Sequence, residues 1–465
     1  MTSFVERWPH MLKIEPFGDL DVCDLDHPRL RSALDVIDTA VMKTGASDKR
    51  RVPSAGAIYP YELLVLVPAL KAGSGNDAAE LERCESERCS LEVYTTDLTR
   101  RQCARVRLDA SALDPVLAAC DDGADFHIMV LTRPWLSVRK YGPRGYAYAQ
   151  IDAAHVALNI LGISLERGGA QLRTSLPRVQ VARFTETFLP YRELHSLISV
   201  RSVAADSEAL AWSEVLSGGG QVSRTQGDLE EYAWLQIPQD LLYGDDGQRP
   251  ARVAPLLGSQ DQSEPASQIR PHEWSSLMAR RRSCKSFTRG TSHKFTVEPV
   301  LARLATALPT DLPDAPPVRV TVVCAPGVVG DDHRQTPAGA SVVGTAAVLD
   351  HATVTRACMG QMHLANAAAF ALVHAARGDY LVDGKPQLLR DAYFRAGAIG
   401  HLLYLSAAAE DVALTAIGGF DGAKWAALGD IPTGNEVLYV LALGSEEGSR
   451  VSKRDRLDLA YAHGE

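Results

Sequence analysis

The chain has 465 residues, 46% hydrophobic and 23% charged, an ordinary composition for a soluble globular protein and enough length for two or three domains of about 150 residues. Its formal net charge of −9 argues against general attraction to nucleic acid or to an anionic membrane surface. No run approaches the roughly 18 apolar residues of a membrane-spanning helix, and MTSFVERWPHMLKIEP meets charges before any signal-like stretch, so a cytoplasmic protein is expected.

The first informative stretch is RRVPSAGAIYPYELLVLV, Arg50 to Val67, where Pro53, Ser54, Ala55, Gly56 and Ala57 form a small-residue loop before an apolar run that reads as a buried strand. Small residues let backbone approach a flat or phosphorylated ligand closely; an ordinary turn before a strand has the same composition. The eight cysteines, Cys23, Cys84, Cys89, Cys103, Cys120, Cys284, Cys324 and Cys358, show no paired CxxC spacing, so reduced thiols and no metal site are expected.

Further along, HIMVLT reads as a strand and RPWLSVRKYGPRGYAYAQ, with four cations and three tyrosines, leads into a helix over AYAQIDAAHVALNILGIS. Residues 202–268 are rich in glycine, serine, proline and charge and read as a linker, within which LEEYAWLQIPQDLLY could form a helical turn or two. The second block opens with EWSSLMARRRSCKSF, in which Arg280, Arg281, Arg282 and Lys285 crowd around Ser283; such a cluster suits a phosphate monoester or is a solvated basic surface. A second helix is expected near Val297. AAAFALVHA is then followed by the small-residue helix AYFRAGAIGHLLYLSAAA, by Ile417, Gly418 and Gly419, and by a terminal strand VLYVLALG. The two small-residue helices begin Ala-Tyr at Ala147 and Ala392, an offset of 245 that holds through the helix and suggests a duplicated domain.

The order of RRSCKSF, a strand, a long small-residue helix, IGGF and a strand ending in Leu-Gly is similar to the flavin-dependent nitroreductase superfamily. PSAGAIYPYEL and KYGPRGYAYAQIDAAH resemble its SagB-type branch, the azoline dehydrogenases of thiazole- and oxazole-forming peptide pathways. The resemblance implies an α+β fold of two tandem nitroreductase-like domains paired as an intrachain pseudo-dimer, with boundaries at 1–27 (extension), 28–200, 201–270 (linker), 271–446 and 447–465 (tail). It implies FMN, its phosphate held by Arg280, Arg281, Arg282, Ser283 and Lys285, its ring faced by Pro53 to Ala57 and by Ile417, Gly418 and Gly419. Lys285 stands where the family more often has arginine. Each block carries motifs the other lacks, so one complete site per chain is expected.

A Lys-Tyr pair at the place of Lys140 and Tyr141 is catalytic in that branch; without the resemblance the run reads as a basic surface loop. Aromatising an azoline removes a proton from one ring carbon and a hydride from its neighbour. Lys140 or Tyr141 would take the proton, with burial and the neighbouring cations Arg139 and Arg144 favouring a neutral lysine. Oxygen is the simplest final acceptor, since no GxGxxG follows a strand. The partners implied are an azoline-containing peptide and a cyclodehydratase complex. Three other readings stay open: a general NAD(P)H-dependent nitro or quinone reductase, a dehydrogenase of a non-ribosomal or other small amide product, and a flavin-free scaffold.

Overall fold

The computed structural model describes residues 13–15, 20–21, 23–42, 50–68, 91–106, 123–176, 192–202, 212–214, 224–226, 249–257, 268–284, 286–288, 297–312, 315–325, 334–335, 341–344 and 349–446. Lys285, LEEYAWLQIPQDLLY, Cys84, Cys89 and Cys120 lie outside these residues.

In chain order the elements that build the site are α1 (Pro28–Val41), β1 (Tyr61–Pro68), β2 (Leu91–Asp97), β3 (Gln102–Val106), β4 (Phe126–Thr132), α2 (Pro134–Tyr141), α3 (Arg144–Arg167), β5 (Gly168–Arg173), β6 (Glu193–Ser202) and β7 (Arg252–Pro255). Then come α4 (Trp274–Arg280), α5 (Glu298–Ala302), β8 (Ala307–Thr310), β9 (Arg319–Cys324), β10 (Ser341–Gly344), α6 (His351–Ala357), β11 (Ala369–Ala376), α7 (Pro386–Ala409), β12 (Ala413–Ala416), α8 (Gly422–Leu428) and β13 (Asn435–Gly444).

One ten-stranded sheet runs β7-β8-β5-β6-β4-β1-β2-β3 and continues into Leu20–Asp21, with Ser213–Glu214 beside β3; a six-stranded sheet runs from Arg334–Gln335 through β10-β9-β11-β13-β12. The apolar runs behave as their composition dictates. All seven residues of β4 are buried, and β1 and β11 are nearly as enclosed, because each is an inner strand of its sheet with partners on both edges.

Helices α3 and α7, 24 residues each, pack against one another between the sheets and are apolar or small almost all round, as helices buried on every side must be. Their approach is set by missing side chains: a Cβ on Gly397 would lie 2.7 Å from Ala154 Cβ and 2.7 Å from the Ile151 carbonyl oxygen. Both helices start earlier than their Ala-Tyr pairs suggest, at Arg144 and Pro386; Pro143 and Pro386 suit a first turn whose N–H groups have no intrahelical partner.

The two blocks are interwoven. Thr310 of β8 pairs parallel with Leu172 of β5, and β8 is flanked on its other edge by β7, a strand inside the glycine- and serine-rich stretch read as linker. Trp274 of α4 is 1% exposed and its indole N–H donates to Asn159 Oδ1 on α3 at 2.8 Å. Gly418 and Gly419 do not follow α7 directly, because β12 intervenes, pairing with β13 at the sheet edge. No helix among the described residues is long and apolar enough to cross a membrane.

Candidate active site

A cavity of about 870 Å³ opens where the two blocks meet, a size suited to a cofactor-sized ligand. Three backbone segments and the end of one helix form its walls.

The first wall is the loop Ser54–Tyr59. Gly56, Ala57 and Tyr59 all adopt left-handed backbone, with φ of 61°, 55° and 52°, a geometry that costs a non-glycine residue about 1 kcal/mol or more and needs outside anchors. Ser54 Oγ donates to Asp152 Oδ2 at 2.6 Å, and the Ala55 N–H reaches the same carboxylate at 3.1 and 3.2 Å. Ser54 Oγ in turn accepts from the Tyr59 N–H at 2.9 Å, and the Tyr59 hydroxyl accepts from the Arg50 N–H at 2.9 Å. The Arg50 guanidinium lies over the rings of Tyr59 and Tyr61, 4.7 and 5.0 Å from their centroids, and leaves Nη1 buried without a hydrogen-bond partner.

The second wall is the end of α2. The Arg133 N–H donates to the Pro60 carbonyl at 2.8 Å, tying the helix start to the loop just described, and Glu62 holds both Arg133 and the buried Arg192. At its other end Gly142 turns the chain with φ of 60°, and α3 returns so closely that a Cβ on Gly145 would run into the backbone of Ser137 and Val138. Lys140 and Tyr141 are thereby projected across the cavity: a Cβ placed on Gly56 would lie 2.5 Å from Lys140 Nζ and 2.6 Å from the Tyr141 hydroxyl. Lys140 is exposed rather than buried, and Arg144 does not face it, donating instead to the Phe420 carbonyl at 2.6 Å.

The third wall is Gly418 and Gly419. The Tyr148 hydroxyl donates to the Gly418 carbonyl, and Gln361 Nε2 donates to the Gly419 carbonyl at 2.7 Å. With Arg144 on Phe420, three side chains from α3 and from the turn after α6 clamp this loop. Tyr141 stands edge-on to Tyr148 at 5.0 Å, between the two glycine loops. Ile417, expected among the ligand contacts, is 1% exposed and its side chain packs into the core behind the loop.

The fourth wall is the basic run after α4. The Cys284 N–H donates to the Leu414 carbonyl at 2.9 Å, so this run rides on the edge of β12. Side chains therefore alternate. Arg281 is 7% exposed, lies over Tyr404, contacts Ser283 Oγ at 3.3 Å and keeps a buried Nε without a partner. Burial lowers its pKa from the usual arginine value. Ser283 Oγ also reaches the Tyr404 hydroxyl at 3.2 Å. Arg282 touches the cavity, yet its side chain is 73% exposed and pairs with Glu446; Arg280 is exposed and lines a neighbouring recess instead.

Beneath the cavity lies a buried polar chain. His155 Nε2 meets the Tyr439 hydroxyl at 3.1 Å, and His155 Nδ1 meets His401 Nδ1 at 3.4 Å. Burial holds His155 well below the usual histidine pKa, lowers His401 to about 3, and raises Tyr439 well above the usual phenol value.

The site thus joins Pro53 to Ala57, Lys140, Tyr141, Arg281, Arg282, Ser283, Gly418 and Gly419 around one space. The sequence reading did not single out Arg50, Tyr148, Asp152, Gln361 or Tyr404. A signal existed for Asp152: a carboxylate among alanines in a helix rich in small and apolar residues calls for a specific partner. Cations dominate the lining, with Arg50, Lys140, Arg281 and Arg282 against the single carboxylate of Asp152, a balance suited to a ligand with an anionic end.

Residues 278–445 match the model of the nitroreductase family. Among solved structures, a protein from Anabaena variabilis assigned as a nitroreductase aligns over 95% of both chains at 15% identity with a TM-score of 0.62, so the fold is shared along nearly the whole chain. A nitroreductase family protein from Clostridium novyi aligns at 18% identity over 37% of this chain and 85% of its own, with a TM-score of 0.24. The E. coli microcin synthetase McbBCD complex with truncated pro-MccB17 bound aligns at 16% identity over 42% of this chain and 73% of that one, with a TM-score of 0.29. No curated protein matches the chain.

Proposed function

We propose that this chain is an FMN-dependent dehydrogenase that oxidises thiazoline or oxazoline rings in a ribosomally made peptide to thiazoles or oxazoles. The observation that carries the reading is the convergence of Lys140 Nζ and the Tyr141 hydroxyl on Gly56, in a cavity whose other walls are Gly418–Gly419 and Arg281–Ser283.

The cavity fits FMN on its own features. Arg281 Nε and Arg50 Nη1 are buried donors without partners, the kind of orphan a phosphate would satisfy, and Gly56 leaves a cradle that any side chain would fill. Arg281 and Ser283 would hold the phosphate, with Lys285 next in the motif, while the Ser54–Ala57 and Gly418–Gly419 backbones would face the ring. When bound, FMN supplies a two-electron acceptor able to take a hydride from carbon.

The chain's own residues handle the proton. The ring carbon that loses it is acidified by the adjacent C=N and carbonyl groups, so a side chain can remove it. Lys140 or Tyr141, whichever is in its deprotonated form, would receive that proton, and the other would orient the ring. The edge contact from Tyr148 fixes the Tyr141 ring. The substrate must come from a cyclodehydratase, the reaction class that forms azolines.

The tandem arrangement belongs to the same proposal. Strand, strand, long helix, short strand and long strand recur in the same order as β1, β4, α3, β5, β6 and as β9, β11, α7, β12, β13. At the place matching the cavity, where the start of α7 meets the segment after β5, protein groups bond to one another. Asp311 accepts from the N–H and hydroxyl groups of Thr174 and Ser175, and Arg249 pairs with Asp391 at 2.7 Å. One cofactor per chain follows.

The absorption spectrum of the purified full chain, followed by mass spectrometry of an azoline peptide, tests the reading. Flavin bands and a loss of two hydrogens per ring without added nicotinamide cofactor support it. Nitroarene reduction by NADPH with no azole formed would favour the general reductase, and a chain that stays colourless in FMN would favour the scaffold.

A further inference from the structure

We propose that Asp152 is a positioning residue which, as a buried carboxylate, holds the Ser54–Ala57 loop in the shape that receives its ligand. This rests on the reading of that loop as the flavin-facing one.

Asp152 lies on α3, 2% exposed, and among the described residues its side-chain hydrogen bonds go to that loop: Ser54 Oγ at 2.6 Å and the Ala55 N–H at 3.1 and 3.2 Å. The hold passes onward, since Ser54 Oγ accepts from the Tyr59 N–H. Three left-handed residues follow Ala55, so the loop is the part of the site least able to keep its shape by local preference. Among the described residues no cation forms an ion pair with Asp152. The titratable and charged groups around it are Arg50, Tyr59 and Tyr61 from the loop and β1, Tyr148 and His155 on α3, Tyr439 from β13, and Arg281 and Lys140 across the cavity.

A buried carboxylate without a cation is expensive, and a neutral side chain of the same shape would avoid the cost. What the ionised form offers is acceptor capacity: both oxygens receive, so the serine hydroxyl and the alanine amide are satisfied together. A protonated carboxyl carries a donor on one oxygen, so where that oxygen meets Ser54 Oγ the serine hydroxyl loses its acceptor and must turn away. Burial raises the Asp152 pKa to about 7, so the change between the two states falls near neutral pH. The direction of the linkage is opposite to that of a salt-bridged aspartate. Between pH 3.8 and about 7 the folded chain keeps a proton that the unfolded chain has released. This group therefore favours folding at low pH, and the contribution is lost as pH rises through about 7.

The experiment titrates FMN into the flavin-free full chain between pH 5.5 and 8.5 for the parent, Asp152→Asn and Asp152→Ala, with circular dichroism to confirm folding. Two flavin-free readouts accompany it: melting temperature across the same range, and tryptic cleavage after Arg50 and Arg51 at pH 8. FMN affinity of the parent is expected to rise about tenfold as pH increases through the Asp152 midpoint. Asp152→Asn should bind about tenfold more weakly at pH 8, show no such step and be cleaved faster at Arg50 and Arg51. Its melting temperature relative to the parent should climb through the same midpoint. Parental affinity in Asp152→Asn at pH 8, or the same pH step retained in it, would overturn the inference while leaving the flavin reading intact. A parent that binds no FMN at any pH, with the cleavage and melting differences present, would instead sink the flavin reading and keep the role of Asp152 in the loop.

Discussion

The hydroxyl of Tyr148 on α3 donates to the carbonyl of Gly418, joining the long helix of one block to the glycine loop of the other across 270 residues of sequence. Tyr148→Phe removes that bond and leaves the carbonyl without its protein donor. A neutral hydrogen bond of this kind is worth about 1 kcal/mol net, so FMN retention should weaken about fivefold while the fold persists. Fluorescence titration of flavin into the apo chain measures it, and unchanged affinity would assign the contact to the fold alone.

The basic run after α4 offers a sharper contrast. Because the chain is extended from Arg281 onward, alternate residues face opposite ways, and Arg281 is enclosed where Arg282 is paired with Glu446 in solvent. A charge-assisted phosphate contact contributes about 1.5 to 3 kcal/mol, whereas an exposed ion pair contributes about 0 to 1 kcal/mol. Arg281→Ala should therefore raise the dissociation constant of FMN at least tenfold, and Arg282→Ala by no more than about fivefold. Equal effects would mean that both side chains reach the phosphate.

The sequence exposed the elements whose signal is local. The apolar runs at Leu63–Val67 and His127–Thr132 needed no context to read as strands, and the small-residue helices were legible from composition. Local motifs also placed Gly56, Lys140, Tyr141, Ser283 and Gly418, all of which line the cavity. Direction was not legible. Ile417 and Arg280 are adjacent in sequence to lining residues yet face the core and a separate recess, since facing depends on strand pairing at Leu414 and Val440 rather than on residue type. Asp152 and Arg50 escaped because their roles are contacts: Asp152 meets its loop 97 residues away, and Arg50 stacks on Tyr61 only once β1 has joined its sheet.

Buried His155 and His401 make an acid-side prediction. Their pKa values are depressed, His401 to about 3, so below the ordinary value of 6.5 the unfolded chain binds protons that the folded chain refuses. Stability from these groups is complete above about pH 6.5 and falls as pH drops through the window down to about 3. Asp152 acts with the opposite sign over part of that range, so the comparison must be differential. His401→Gln should lose less melting temperature than the parent between pH 7 and pH 4.5. Parallel curves would show that His401 does not titrate on unfolding.

Gly56 links the loop to the chemistry. An alanine there would place Cβ 2.5 Å from Lys140 Nζ and 2.6 Å from the Tyr141 hydroxyl, with φ of 61° adding a strain of about 1 kcal/mol. Gly56→Ala should stay folded, since Lys140 can swing into solvent, but azole formation should fall about tenfold or more because the pair is displaced. Rate and flavin occupancy measured together would separate displacement of the pair from loss of cofactor.

Lys140 and Tyr141 themselves carry the final prediction. The cofactor's proposed contacts are Arg281, Ser283 and two backbone loops that are anchored by other side chains: the first loop by Asp152, the second by Tyr148, Gln361 and Arg144. Lys140→Ala and Tyr141→Phe should therefore remain folded and yellow. Proton removal is a different matter, because both polar tips meet at Gly56, inside the cavity, and losing a positioned acid or base lowers a rate by about 100-fold or more. Azole formation should fall by that factor in each variant at equal FMN loading, while reduction of an artificial nitro acceptor by flavin that dithionite has reduced, which requires no ring proton to be removed, should change little. Parental azoline oxidation in both fully loaded variants would remove the pair from the mechanism and bring the general reductase reading forward.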